Sequence, residues 1–175
     1  MKKFSMMLGV CLLTGLVQPV WADDVYRDEQ TDALDKLFSG RKTRAIVFDA
    51  NCGNLPAETK VTPAAFSIEF RPGSADLAPV AERKVQTIAR SLKKGLGQYL
   101  CVAIEGHSDA SGNADRNQAL SKERAETVRQ VIEKNGVDGS LLTAEGKGSS
   151  EPLPGLEPTN PRNRRVVFKI IRPAQ

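Results

Sequence analysis

The 175-residue sequence is poor in the residues that build metal and redox centres, with one histidine and three cysteines. Aromatic residues make up only 5%, and tryptophan occurs once. No stretch repeats at a spacing of about 20 to 50 residues, which excludes solenoids and propellers. Ten prolines and fourteen glycines follow no fixed period, so the chain is not collagenous. Its one apolar run, Phe4 to Val17, is shorter than the roughly 20 residues of a spanning helix, which excludes a polytopic membrane protein. The remaining mixture, 40% hydrophobic and 26% charged, suits one globular domain with an appendage.

Residues 1–22 read as a secretory signal peptide. Lys2 and Lys3 precede the apolar run, and Val20, Trp21 and Ala22 form a Val-x-Ala cleavage site before Asp23 and Asp24. Cys11 follows Val10 inside that run, where no lipid-modification site is expected. Cleavage after Ala22 removes two of the 25 basic residues and none of the 21 acidic ones. The basic excess is therefore partly an export signal, and the densest patch, Arg162 to Arg165, has no interleaved aromatics. A nucleic-acid partner is not expected.

Export leaves Cys52 and Cys101 in a compartment where disulfides persist. Their pairing is expected, and closing that loop contributes about 4 kcal/mol in the chain-entropy model. The alternative is two buried thiols. With both cysteines oxidised, His107 alone cannot hold zinc, so no metal or cofactor is expected and His107 reads as a hydrogen-bonded structural residue.

Residues 23–61 form an N-terminal extension. Asp28 to Phe38 places Leu34, Leu37 and Phe38 at helical spacing, followed by Ser39-Gly40, a basic Arg41 to Arg44 and an apolar Ala45 to Phe48. The main domain covers 62–175. Ala65 to Phe70 alternates apolar and polar residues as a half-buried strand does, and Arg71-Pro72-Gly73-Ser74 is a turn. A helix is expected over Pro79 to Lys94, with Val80, Val85, Ile88, Ala89 and Leu92 inward and Gly95 to Gly97 ending it. Leu100 to Glu105 is a second strand, Asn117 to about Lys134 a helix stopped by Asn135-Gly136, and Leu141 to Ala144 a third strand. Gly146 to Asn163 reads as a long loop around Pro152, Pro154, Pro158 and Pro161, and Arg165 to Ile171 as the last strand. The fold class is an α/β (α+β) sandwich with helices on one face of a small mixed sheet.

Stepping ~100° per residue around the second helix places Leu120, Ala125, Val128, Val131 and Ile132 on one arc. Arg124 projects into that apolar arc, with Asn117 at nearly the same angle. A guanidinium there needs an anionic partner, because an unpaired buried charge is expensive. Asp109 is the candidate, since it lies in the loop leaving the C-terminal end of the second strand, where ligands tend to bind in α/β sheets. Two readings stay open. Either Asp109 and Arg124 form an internal salt bridge, or they hold a zwitterion, with Asp109 on the ammonium, Arg124 forking the carboxylate and Asn117 fixing the orientation.

His107-Ser108-Asp109 contains the residue types of a hydrolase triad, but adjacent residues in an extended segment point to alternate sides. Gly146-Lys147-Gly148-Ser149 lacks the ending and the following helix of a phosphate loop. No enzyme is expected.

A series of short matches in fixed order carries a resemblance. Ile104-Glu105-Gly106-His107-Ser108-Asp109, Gly112, Asn117, Leu120-Ser121, Arg124-Ala125, Val128, Gly146-Lys147-Gly148, Glu151-Pro152 and Asn163-Arg164-Arg165-Val166 are similar to the OmpA-like C-terminal domain family over about residues 62 to 172. The resemblance implies a β-α-β-α-β-β order and non-covalent binding of peptidoglycan, through the diaminopimelate of its stem peptide, in the Gram-negative periplasm. It implies Asp109 and Arg124 on the two ends of diaminopimelate, Asn117 and Ser108 beside them, and Gly73 and Arg165 as secondary contacts. Ser108 stands where the family has threonine, Arg116 where it has an aromatic, and the asparagine frequent near Gly73 is replaced. The rival reading is an assembly module of an envelope complex, acting through residues 23–61, with little wall binding and any outer-membrane association made through a partner.

Overall fold

Among the described residues of the computed structural model, which are 29–39, 52, 55, 59–68, 70–71, 73–96 and 98–173, four strands make one mixed sheet. They are β1 (Thr59–Phe66), β2 (Cys101–His107), β3 (Leu142–Gly148) and β4 (Arg165–Pro173), in the order β1-β4-β2-β3. β4 runs antiparallel to both neighbours, whereas β2 and β3 are parallel. Parallel neighbours need a long crossover, and α3 (Ala114–Lys134) supplies it. α1 (Glu29–Ser39) and α2 (Pro79–Lys94) complete the set. The signal peptide, Gly40, the Arg41 to Phe48 stretch, Glu69, Pro72, Gly97 and the last two residues lie outside the described residues.

The core follows from the periodicities. Val85, Ile88, Ala89 and Leu92 of α2 and Ala125, Val128 and Ile132 of α3 bury against Val102, Ile104, Phe168 and Ile170 of the sheet. Phe66 meets Phe168 edge to face, with ring centroids 5.0 Å apart. Local chemistry sets the helix ends: Pro79 opens α2, Asn113 caps α3 by accepting the Arg116 N–H at 2.9 Å, and Gly136 follows its last turn at φ 89°.

Several boundaries differ from the pattern-based expectation. β1 begins at Thr59 and ends at Phe66, where its register meets Val166, one residue inside β4. Ile68 still buries and Phe70 makes only an isolated bridge to Leu77, so the alternation outlasts the strand. Pro63 is accommodated because β1 is an edge strand. β3 continues through Gly148, with Gly146 paired to Gly106, so the long loop starts later than Gly146. Val80 is 48% exposed rather than inward, because Ala81 takes the core side of the first turn. α1 packs on α2 and places Leu34 and Phe38 in the same core cluster.

Cys52 and Cys101 are bonded, with Cα atoms 5.0 Å apart, which removes the free-thiol alternative. The Cys52 N–H also donates to the Ser140 carbonyl at 3.1 Å, so this point of the extension sits against the turn before β3. None of the described helices is long and apolar enough to cross a membrane.

α3 lies unusually close to β2 and β3 because glycine is present in both strands. A Cβ on Gly106 would overlap the Ser121 carbonyl, and one on Gly146 would come within 2.6 Å of the Lys122 nitrogen. Gly106→Ala is expected to lower stability by about 1–3 kcal/mol through overpacking, read from urea denaturation. Replacing both bridged cysteines with alanine is expected to cost about 4 kcal/mol in the same assay, and an unchanged midpoint would contradict a structural bridge.

Candidate functional site

The loop after β2 and the N-terminal half of α3 meet at one end of the sheet. Ser121 fixes the meeting: its Oγ accepts the Gly148 N–H at 2.9 Å, and the Gly148 carbonyl accepts the Ser108 N–H at 2.8 Å. Asn117 then donates from Nδ2 to the carbonyls of Asp109 and Ser111, at 3.1 and 2.8 Å, tying the loop to the helix. Gly73, at φ 64°, takes the tight turn beside Phe70, which lines the opposite wall, and Ser74, whose carbonyl meets Arg124.

These elements enclose a cavity of about 520 Å³ whose lining includes Ser108, Asp109, Asn117, Arg124 and Gly73. Arg116 lines the same space, so the departure from an aromatic puts a cation on its rim. Arg165 is not part of it. That side chain lines the adjoining cavity with His107 and donates to the backbone carbonyls of Glu151 and Asn163.

Both charges of the expected pair are buried, Asp109 to 6% exposure and Arg124 to 9%. They do not pair with each other. Asp109 Oδ2 accepts Arg164 Nη1 at 2.8 Å, and Oδ1 accepts the Ser111 N–H at 3.0 Å. Arg124 donates from Nε to the Ser74 carbonyl at 3.1 Å and lies 5.0 Å from the centroid of the Phe70 ring. Burial, reinforced by the Arg164 charge, pulls the Arg124 pKa below the ordinary guanidinium value, and Asp109 opposes this. A buried carboxylate and a buried guanidinium thus face one cavity without neutralising each other. The Ser108 hydroxyl there is buried with no hydrogen-bond partner among the described residues.

Arg164, Phe70 and Ser74 are the site residues that sequence reasoning missed. Arg164 stands in the same basic run as Arg165, but its side depends on where β4 begins. Phe70 was signalled by its alternation with Phe66 and Ile68.

His107 departs from expectation. It is 3% exposed, and neither ring nitrogen has a hydrogen-bond partner among the described residues. Its contact with Glu105 Oε2 is long, 4.0 Å, while Glu105 Oε1 receives Lys169 at 2.7 Å and Lys147 at 3.4 Å. The ring is bonded to neither Ser108 nor Asp109, so no nucleophile and base are aligned. Glu105, His107 and Glu151 bring ligand atoms within 4.8 Å of one another, but the two lysines and Arg165 make that corner unfavourable for a cation.

The sheet order, the helices and the polar cleft at the end of β2 define an OmpA-like α+β domain. The model of the OmpA family matches residues 69–165, more than half the chain, and the chain belongs to that family. Outer membrane porin F of Pseudomonas aeruginosa is 32% identical over 154 residues, covering 84% of this chain and 42% of that protein. The peptidoglycan-associated lipoprotein of the same species is 35% identical over 102 residues, covering 57% of this chain and 59% of that protein. Among solved structures, the cell wall anchor of the T6SS from Pseudomonas aeruginosa matches with TM-score 0.53 and 25% identity, over 67% of this chain and 84% of that one. The chain spans less than two thirds of the length of these curated relatives.

Burial, and next the Arg165 charge, lower the His107 pKa to about 4, with Glu151 and Glu105 opposing and Lys169 adding. The folded value lies below the ordinary 6.5, so the unfolded chain protonates first as pH falls. Stability from the neutral ring is complete above about 6.5 and is lost down to about 4. Urea midpoints measured between pH 7 and 5 are expected to fall more steeply for the parent than for His107→Gln.

Proposed function

We propose that this protein binds peptidoglycan non-covalently through the diaminopimelate of the stem peptide and performs no chemistry on it. The carrying observation is the single cavity in which a buried Asp109 and a buried Arg124 remain unpaired with each other. Asp109 accepts the ligand ammonium beside the exposed Arg164, since a carboxylate has lone pairs for both. Arg124 uses Nε on Ser74, which leaves its two Nη nitrogens to fork a carboxylate. Asn117 holds the loop, and the Ser108 hydroxyl supplies a further polar contact. The name of the peptidoglycan-associated lipoprotein relative agrees with this reading. The protein then acts in the periplasm as an anchor of an envelope protein or complex to the wall.

The rival reading, an assembly module working through residues 23–61, draws less support, because α1 directs Leu34 and Phe38 into the domain's own core.

Calorimetric titration with meso-diaminopimelate and with purified sacculi tests the proposal. Folded Asp109→Ala and Arg124→Ala variants are each expected to lose about 2–5 kcal/mol of binding, because each leaves a buried charge unmatched in the complex. Arg124→Lys is expected to fail similarly, since a point charge cannot fork a carboxylate. No binding by the parent would overturn the proposal.

A further inference from the structure

Asn163 is fully buried, at 0% exposure, and lines neither the cavity at Asp109 nor the adjoining one. Its side-chain amide is nevertheless bonded at both ends. Oδ1 accepts the Leu153 N–H at 2.8 Å, and Nδ2 donates to the carbonyls of Glu157 and Pro158 at 2.9 and 3.0 Å. The loop between β3 and β4 is otherwise built of single turns, such as Leu156 N–H to the Leu153 carbonyl at 3.1 Å and Asn160 N–H to the Glu157 carbonyl at 2.9 Å. One buried amide thus ties residues 153–158 together, and losing it leaves shielded polar groups unmatched.

This loop reaches the site through Pro158, whose carbonyl also accepts the Ala110 N–H at 2.9 Å. The oxygen of that same peptide, the Asp109 carbonyl, accepts Asn117 Nδ2 at 3.1 Å. A peptide is planar, so holding its oxygen from one side and its N–H from the other fixes its rotation about the flanking Cα atoms. With that rotation fixed, the Asp109 side chain keeps one direction relative to the loop.

We propose that Asn163 is a positioning residue for ligand binding. Through Pro158 it holds the N–H half of the peptide joining Asp109 to Ala110, as Asn117 holds the oxygen half, and so aims the Asp109 carboxylate before a ligand arrives. The proposal rests on reading the cavity at Asp109 and Arg124 as the diaminopimelate site. Without Asn163 the peptide is held at its oxygen, and ordering its other half becomes a cost of binding. Linkage is reciprocal, so a ligand on Asp109 also steadies Leu153, which lies outside the lining of the cavity.

The test is calorimetry with meso-diaminopimelate on the parent and on Asn163→Ala, joined to amide hydrogen exchange followed by NMR. Asn163→Ala is expected to bind about tenfold more weakly, the size of one hydrogen bond. Its Ala110 amide is expected to exchange faster than in the parent and to regain protection at saturating ligand. In the parent, ligand is expected to slow exchange at the Leu153 amide, a readout that requires no variant to fold. A purely structural Asn163 would lower the urea midpoint and leave these ligand-dependent changes absent. Parent-like affinity in a folded Asn163→Ala, or Leu153 exchange in the parent that ligand leaves unchanged, would overturn the positioning role while leaving the diaminopimelate reading intact. No binding by the parent would overturn both.

Discussion

The close seating of α3 on β2 and β3 is the constraint from which the site follows. It exists because Gly106 and Gly146 present no side chain beneath Ser121 and Lys122. With the backbones that near, Ser121 reaches the Gly148 N–H and Gln118 reaches the Gly146 carbonyl at 2.7 Å. The N-terminal half of α3 is thereby held against the strand ends, and Asn117 bonds the β2 loop in place. Asp109 and Arg124 come from different elements, yet this packing fixes their relation before any ligand arrives. Preorganisation of this kind reduces the ordering cost of binding.

Electrostatics sets what the cavity presents. Arg124 is satisfied partly by a carbonyl and an aromatic face, neither of which cancels its charge. Asp109 is held by Arg164, a residue exposed enough to move aside or to share the carboxylate. His107 is hydrogen-bonded through neither nitrogen to Ser108 or Asp109. Such a site offers two fixed charges and several hydrogen-bond donors.

Much of this was legible in the sequence, for identifiable reasons. Arg124 stood out because helical periodicity is regular enough to place one residue within an apolar arc, and its burial follows from that. Asp109 was placed by topology, as a residue leaving the C-terminal end of a strand beside a crossover. Arg164 was missed because a one-residue change in strand start exchanges the two sides, and only the Arg165–His107 register decides it. The pairing of Asp109 with Arg164 instead of Arg124 is a long-range choice between two arginines, which no local pattern encodes. Pro63 hid the early start of β1, and the glycines of Gly146-Lys147-Gly148 imitated a turn where the strand in fact continues against α3. That Lys147 and Lys169 reach Glu105 from neighbouring strands, while His107 stays 4.0 Å from its other oxygen, is again a tertiary outcome.

The central claim is that Asp109 and Arg124 act together on one ligand. Nitrogen-labelled protein titrated with meso-diaminopimelate and followed by NMR tests this most directly. The account predicts that the side-chain Nε–H signal of Arg124 and the backbone amides of Ser108 to Ser111 shift together along one saturable curve. Shifts confined to other parts of the surface, or movement of the loop amides without Arg124, would contradict it.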